Sequence, residues 1–392
     1  MKLFLAVATV TVMGLFQSSL LATLPWIIDR TGLPAAFWSV LVAASLILVA
    51  VSSPVWGRRT DSHGPLPVMR LTMGLVVVSY GLLIAAVLAL SAPIWIAAIA
   101  IVTRLVYGVA TGGVFPSAQR FALADKPVSQ WPETLAYIQA STHAGRVLGP
   151  GIVALAAIWS LPLGLVLIVV LGVVLWFMQW YFAAGVAAEP GGNREQAQPP
   201  PWSEDWPLYG LGFMITLWVG QLQFALGPYL QNLVGVDSVT ASQWTGTALM
   251  AASVSAIVAG PLGNRWLSPT PRLLCGVWLG VFTLGGVLLA AASGVFGVGA
   301  AVCLITAGLT LAAPWYGSIL RARRPDAQGQ VSGRMISVHT IGFGSGTLVG
   351  GLMLELAPNH AMAAFYLLGP LAAVLVVIHH LRVQAGIVPP TA

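Results

Sequence analysis

GRRTDSHG, residues 57–64, separates two apolar runs of about twenty residues each. One acid and two arginines therefore lie in a short stretch that is bounded by glycines, with lipid-compatible sequence on both sides. An apolar run of that length crosses a bilayer when it is helical. The stretch predicts two membrane spans joined by a tight polar turn.

The composition of the whole chain points the same way. Of its 392 residues, 58% are hydrophobic and only 7% are charged, and the mean hydropathy is +0.88. Soluble domains carry about 25% charged residues. Most of this chain must be solvated by lipid, where helices or closed barrels satisfy the backbone. The apolar runs are continuous rather than alternating, which favours helices.

We predict an all-α polytopic membrane protein with twelve transmembrane helices. The apolar segments lie at about 3–27, 37–56, 70–90, 93–114, 134–156, 160–184, 207–230, 241–262, 272–292, 294–318, 331–354 and 360–381. The first segment is too long for a signal peptide, so we interpret it as a retained span. Cys275 and Cys303 both fall in apolar runs and are interpreted as packing residues.

The longest polar segment divides the chain into two halves. Residues 188–206 are rich in Gly, Pro and acids and are predicted to form a cytoplasmic linker. The predicted domains are an N-terminal six-helix bundle (1–187) and a C-terminal six-helix bundle (207–392).

The basic residues support this count of helices. Odd and even loops alternate sides, and most of the 17 Lys and Arg residues then share one side: Lys2, Arg58, Arg59, Arg70, Arg120, Lys126, Arg194, Arg265, Arg272, Arg321, Arg323, Arg324, Arg334 and Arg382. Arg30 alone falls opposite, while Arg104 and Arg146 lie within spans. The asymmetry predicts that this side, with both termini, is cytoplasmic.

Two short patterns recur between the halves and suggest an internal duplication. Gly14-x-x-Gln17-x-x-Leu20 in span one returns as Gly220-x-x-Gln223-x-x-Leu226 in span seven. The triplet at 141–143 in span five is matched, 196 positions later, by the one at 337–339 in span eleven. This second match predicts that His143 and His339 are equivalent and could approach each other across a two-fold axis.

The turn at 57–64 resembles the loop between the second and third helices of the major facilitator superfamily. Gly57, Asp61 and Gly64 have the family spacing, and Arg58 and Arg59 are basic, although the usual basic residues after the second glycine are absent. The resemblance implies that Gly57, Arg58, Asp61 and Gly64 form a conformational latch. A turn-forming aspartate is the alternative for Asp61.

Span four contains Arg104-x-x-x-Gly108-x-x-x-Gly112, which places the three residues on one stripe of a helix. An arginine in mid-span is costly unless it faces a cavity or a partner, and the alternative is a cation that snorkels to an interface. The spacing is similar to a signature of the superfamily's fourth helix that is assigned to proton handling.

Span five contains Gly145-Arg146-Val147-Leu148-Gly149-Pro150. The glycines permit close packing, and Pro150 removes a backbone hydrogen bond and bends the helix. The pattern resembles the fifth-helix signature of the superfamily's antiporters, which implies export, although an ordinary packing face remains open. Arg146 departs from the drug-efflux pattern and indicates specialised cargo.

The deep ionisable groups are basic or neutral: Arg104, His143, Arg146 and His339. None of the eleven acids falls in mid-span, so we expect an electropositive cavity that binds an anion. His143 and Arg146 share a helix face. His143 and His339, with Arg104, are the candidates for proton coupling, and the alternative for each histidine is a hydrogen-bonded core residue.

Amide and aromatic side chains complete the candidate substrate site. Spans one and seven line the cavity in the superfamily, which implies contact with Gln17 and Gln223. Tyr107, Trp218 and Tyr229 are candidate aromatic walls, although tryptophans near span ends are often interface anchors. Arg104 and Arg146 complete this predicted set.

These features predict a secondary transporter of the bacterial inner membrane that exports a small organic anion, with a carboxylate-type siderophore as the sharpest candidate, by proton antiport and alternating access. A broad drug exporter and an anion exchanger or uptake carrier stay open as alternatives. A polytopic lipid enzyme and a non-transporting sensor lack supporting motifs. The expected partners are the anion, protons and the bilayer, with no nucleic acid, cofactor or metal. The resemblance implies a monomer.

Overall fold

The structure is a computed structural model that describes residues 1–124, 126, 131–182, 202–267, 271–323 and 328–386. These residues form helices and no strands, which confirms the all-α prediction. The α-helices are α1 (Lys2–Ala22), α2 (Leu24–Thr31), α3 (Ala35–His63), α4 (Pro65–Ala89), α5 (Pro93–Leu123), α6 (Trp131–Ala156), α7 (Leu161–Phe182), α8 (Trp202–Val234), α9 (Ser238–Leu267), α10 (Pro271–Ala291), α11 (Val295–Ala322), α12 (Gln328–Leu356) and α13 (Leu368–Gln384). Short 3-10 helices at Pro358–His360 and Ala363–Leu367 precede α13.

Nine of the described helices are long and apolar enough to cross a membrane. The remaining long helices are α6, α9 and α12, which have 26, 30 and 29 residues. They have spanning length but fall outside that set. Two of them, α6 and α12, carry the histidines predicted to handle protons.

The predicted first span is divided at Thr23. Its backbone (φ −91°, ψ 3°) ends α1, and α2 begins at Leu24 with Pro25 in its first turn. Proline is tolerated there because it has no N–H to place in the helical ladder. The Thr23 hydroxyl donates to the carbonyl of Ser19 at 2.8 Å.

The predicted polar turn at 57–64 is wrong in its extent. α3 continues through residues 57–63, and the turn is the single residue Gly64, at φ +84°. Residues that have a Cβ rarely adopt a positive φ, so glycine is suited to this position. Residues 57–63 are polar but compatible with a helix, and Pro65 then begins α4.

The predicted linker also ends earlier than expected. Residues 183–201 lie outside the described residues, but α8 begins at Trp202, inside the predicted 188–206 segment. Its backbone is non-helical at Asp205 (φ −110°, ψ 15°), two residues before Pro207. The acidic residues in 202–206 are typical of a linker, so the sequence did not indicate that an irregular first turn of a helix forms there.

The contact pattern divides the chain into two compact units. The first comprises Met1–Asn193 and Gly235–Met250, and the second comprises Arg194–Val234 and Ala251–Ala392. The beginning of α9 therefore packs with the first unit. Within the first unit, α1 packs along α6, and α5 lies against α3 and α4; within the second, α8 packs along α12, and α10 along α11.

The helix pairs α1–α6 and α8–α12 use glycines in the same way. A Cβ added at Gly145 would lie 2.8 Å from the backbone nitrogen of Leu15, and one at Gly346 would lie 2.9 Å from that of Gln221. Leu15 and Gln221 are 206 positions apart, which confirms the register predicted between spans one and seven. Gly145 and Gly346 are 201 positions apart.

This register corrects the predicted equivalence of the two histidines. Spans five and eleven correspond at an offset of 201 positions rather than 196, so His143 corresponds to Gly344 and His339 to Ile138. Five helical residues are about 7.5 Å along the axis. The three-residue match was too short to fix the register, and the predicted equivalence of His143 and His339 is wrong.

Candidate functional site

Arg104 lies in the interior of the first unit, with 2% of its surface exposed. Its Nη2 donates to the hydroxyl of Ser45 on α3 at 2.7 Å. The Ser45 hydroxyl in turn donates to the carbonyl of Val42 at 2.7 Å. The guanidinium also lies over the Tyr107 ring, 4.5 Å from its centroid.

The charge of Arg104 has no carboxylate partner in the part of the chain that the structure describes. Its Nε and the hydroxyl of Tyr107 are both buried without a hydrogen-bond partner there. A buried cation without a counterion is expensive. The Ser45 hydroxyl and the face of the Tyr107 ring offset only part of the cost of burying this charge.

Close packing of α3 on α5 places the Arg104 guanidinium beside Ser45. A Cβ on Gly108 would lie 2.5 Å from the Ser45 carbonyl oxygen, and one on Gly112 would lie 2.9 Å from that of Val49. The stripe predicted for span four is thus a helix-contact face, with the arginine at its end.

The glycines of span five make the close approach that their spacing predicts. Gly149 faces the carbonyl of Leu15, 2.6 Å from where its Cβ would be, and the Ser18 hydroxyl bonds the Gly145 carbonyl at 3.3 Å. Pro150 lies inside α6. A Cβ on Gly246 of α9 would lie 2.6 Å from the Pro150 carbonyl oxygen. The bend at Pro150 stays a prediction.

His143 and Arg146 are both exposed along α6. They are three residues apart and therefore lie on neighbouring positions of one face, while Gly145 and Gly149 cover α1. An arginine in the body of a membrane helix needs polar surroundings, because lipid cannot solvate its charge.

The predicted amides occupy matching places in the two units. Gln17 and Gln223 are half-buried, and the 206-position register makes them equivalent. Trp218 and Tyr229 are buried, and the Trp218 ring packs edge-on against Phe365 at 4.9 Å. Substrate contact by these residues stays a prediction.

Residues of the predicted latch lie at the end of α3 and the following turn. Arg58 is exposed, Gly57 is half-buried, and Gly64 is buried at the turn. The side chain of Asp61 lies outside the described residues. The latching role therefore stays a prediction.

Two polar pairs of the second unit were missed by the sequence analysis. The Tyr316 hydroxyl lies 2.6 Å from Nε2 of His339, and Arg323 forms an ion pair with Asp205 whose side chains are 4% and 7% exposed. Asp205 had been assigned to the linker. No sequence pattern indicates which helices bring Tyr316 and His339 together.

Among the described residues there is no cluster of His, Cys, Asp or Glu that could hold a metal ion. The side chains described above offer guanidinium, imidazole, amide and hydroxyl groups to a small solute. Such a set suits an anionic or polar organic molecule.

Comparisons with known proteins place the chain among membrane transporters. The model of the Major Facilitator Superfamily matches residues 6–336. A bacterial homologue of the human lysosomal transporter Spinster, inward-facing and occupied, has a TM-score of 0.68 at 15% identity, over 98% of this chain and 96% of its own. A variant of the nucleoside transporter NupG has a TM-score of 0.72 at 12% identity, over 97% and 99%. The human organic anion transporter MFSD10 (TETRAN) has a TM-score of 0.66 at 17% identity, over 96% and 98%. No curated protein sequence matches the chain.

Proposed function

This chain belongs to the major facilitator superfamily, and from that premise we propose that it exports a small organic anion by proton antiport with alternating access. As a member it is a multi-pass membrane transporter, a secondary carrier and not an enzyme. A carboxylate-type siderophore is the cargo class that we consider first, because it carries several carboxylates and requires export.

The burial of Arg104 without a carboxylate partner among the described residues is the observation that supports the choice of an anion. Nη2 of Arg104 is held by Ser45, and the side chain is 2% exposed. Its positive potential extends through the low-dielectric interior around it. An anion bound nearby offsets the cost of that potential, whereas a cationic drug adds to it.

Arg146 is the better candidate for direct contact with the cargo. It is exposed on α6, one helical turn from His143. A planar guanidinium binds a carboxylate through two parallel hydrogen bonds, which supplies both affinity and orientation. We therefore propose that Arg104 supplies a positive potential in the interior and that Arg146 contacts the cargo directly.

The position of the coupling group decides between antiport and symport. A carboxylate at Arg146 attracts a proton to the adjacent His143, so that anion and proton would bind together. Antiport requires them to bind in turn. His339 has a tyrosine rather than an arginine as its recorded partner, which makes it the better carrier for antiport.

The test is counterflow of citrate, a tricarboxylate probe, into vesicles that contain the purified protein. Because antiport moves citrate and protons in opposite directions, citrate uptake into the vesicles should increase when the lumen is made more acidic than the outside. Arg146→Ala should reduce the flux about tenfold or more, and Arg30→Ala, at an exposed helix end, serves as the matched control. Retained export of a cationic dye by Arg146→Ala, with no loss of any anion, would favour a drug exporter.

We also propose a bacterial inner membrane location, a monomer and cytoplasmic termini. In the first unit Lys2 begins α1, and Arg70 lies early in α4. Arg58 and Arg120 lie in the C-terminal parts of α3 and α5, whereas Arg30 lies near the end of α2, on the opposite side in the predicted topology. Basic residues are retained on the cytoplasmic side. Labelling of single cysteines placed at Arg58 and Arg30 from either side tests the orientation.

A further inference from the structure

Tyr316 of α11 and His339 of α12 form a specific pair inside the second unit. The phenol oxygen lies 2.6 Å from Nε2 of the imidazole. The rings meet edge to face, with an interplanar angle of 88° and 6.0 Å between centroids. The hydroxyl therefore lies against one ring nitrogen only.

A third helix leaves the space for this pair. A Cβ on Gly212 of α8 would lie 3.0 Å from Nε2 of His339 and 3.3 Å from the Tyr316 oxygen. Any side chain at position 212 would press on the hydrogen bond itself. Tyr316 is 1% exposed while His339 is half-buried, so only the imidazole of the two side chains keeps partial access.

Charged residues also lie on the helices that surround the pair. On α12, Arg334 lies five residues before His339. On α8, Asp205 is held in the buried ion pair by Arg323, which directly follows α11. The structure records Tyr316 as the titratable group bonded to His339.

We propose that Tyr316 is the positioning residue of His339, an inference that rests on the proposed proton coupling. The phenol oxygen accepts a hydrogen bond from Nε2–H in the neutral and in the charged imidazole. The transported proton then binds to the lone pair of Nδ1 and leaves from Nδ1. Tyr316 neither gains nor loses a proton in the cycle.

His143 has a different environment. It is exposed, it lies beside Arg146, and in the corrected register it corresponds to Gly344 rather than to His339. The two histidines are therefore not interchangeable parts of a duplicated device. The structure assigns the positioned imidazole to the second unit alone.

The first experiment measures proton-driven citrate flux against pH for Tyr316→Phe in vesicles. An imidazolium donates more strongly than a neutral imidazole, so loss of the acceptor should move the midpoint to lower pH by about 0.5 to 1 unit. Gly212→Ala should move it in the same direction. Tyr80→Phe, which removes another buried hydroxyl bond at 2.8 Å from Ser19, should leave the midpoint unchanged.

An unchanged midpoint in Tyr316→Phe, or an equal shift in Tyr80→Phe, would overturn the positioning role while leaving proton coupling intact. His339→Gln should abolish the dependence on the gradient. Should His339→Gln retain it, the proton carrier is elsewhere and the proposal for His339 is wrong.

A second readout does not depend on transport. Nitrogen-15 NMR of histidine-labelled protein, with the His339 signal identified by its loss in His339→Gln, should show the Nε2–H tautomer at neutral pH. In Tyr316→Phe the two tautomers should be mixed. A pure Nδ1–H tautomer in the unmodified protein would contradict the proposal.

Discussion

Gly145 of α6 lies against the backbone of Leu15 on α1, so closely that a Cβ on the glycine would be 2.8 Å from the Leu15 nitrogen. That distance is shorter than any ordinary contact between a methyl group and a backbone atom. The two helices are held at this separation by glycines on both sides, since Gly14 also lies at the contact.

Gly145→Ala should therefore destabilise the protein, because its methyl group forces α1 and α6 apart. We expect a loss of about 1 to 3 kcal/mol, as for other overpacked contacts, seen as a lower melting temperature in detergent. Gly280→Ala is the matched control, because nothing lies within 4 Å of its added Cβ. Equal melting temperatures for the two variants would contradict the close contact.

The buried pair of Asp205 and Arg323 predicts a different pattern of stability. Asp205→Ala leaves a guanidinium buried without its anion and should cost about 3 kcal/mol or more. The double variant Asp205→Ala with Arg323→Met removes both charges and should be more stable than the single one. A double-mutant cycle by thermal unfolding measures the coupling, and additive effects would show that no ion pair forms.

The sequence was sufficient for the helices and for the close packing at the glycines of span five, because continuous apolarity and glycine spacing are local signals. The sequence was not sufficient to predict the residue at which α3 ends. Residues 57–63 are polar, and polarity does not distinguish a turn from a helix that emerges from lipid. Only the positive φ at Gly64 decides where the helix ends.

Which helices contact one another, and in what register, could not be predicted. The Tyr316–His339 bond depends on the rotation and depth of α11 and α12, which no local pattern specifies. The register of α6 and α12 was misjudged by five residues for the same reason. Gly346 lies at the contact between α8 and α12 and corresponds to Gly145 in the repeat, whereas the match between His143 and His339 is coincidental.

The pH dependence of stability should contain a contribution from Asp237, just before α9. Its carboxylate accepts bonds from the Thr240 hydroxyl at 2.6 Å and from the amides of Thr240 and Val239 at 3.0 Å. The Thr240 hydroxyl first, and then these amides, lower the pKa of Asp237 below its usual 3.8. A lowered pKa in the folded state means stabilisation that is present above pH 3.8 and lost as the pH falls through the folded value.

Asp237→Asn tests this contribution, because asparagine caps a helix but does not titrate. The melting temperature of the natural chain should exceed that of the variant at pH 7, and the difference should vanish well below pH 3.8. A constant difference across that range would show that the carboxylate bonds are not formed. Asp237→Ala should be less stable than Asp237→Asn at every pH.

Arg104 allows the structural and the functional roles of a buried charge to be separated. Arg104→Met replaces the guanidinium side chain by an apolar one of similar volume, and such replacements are often neutral or stabilising. We expect an unchanged or higher melting temperature together with a loss of citrate flux of about tenfold or more. Ser45→Ala, which removes the acceptor at 2.7 Å but keeps the charge, should lower stability and retain most of the flux. If Arg104→Met transports citrate normally, the positive potential of Arg104 is not what selects an anion, and the assignment of an anionic cargo loses its main support.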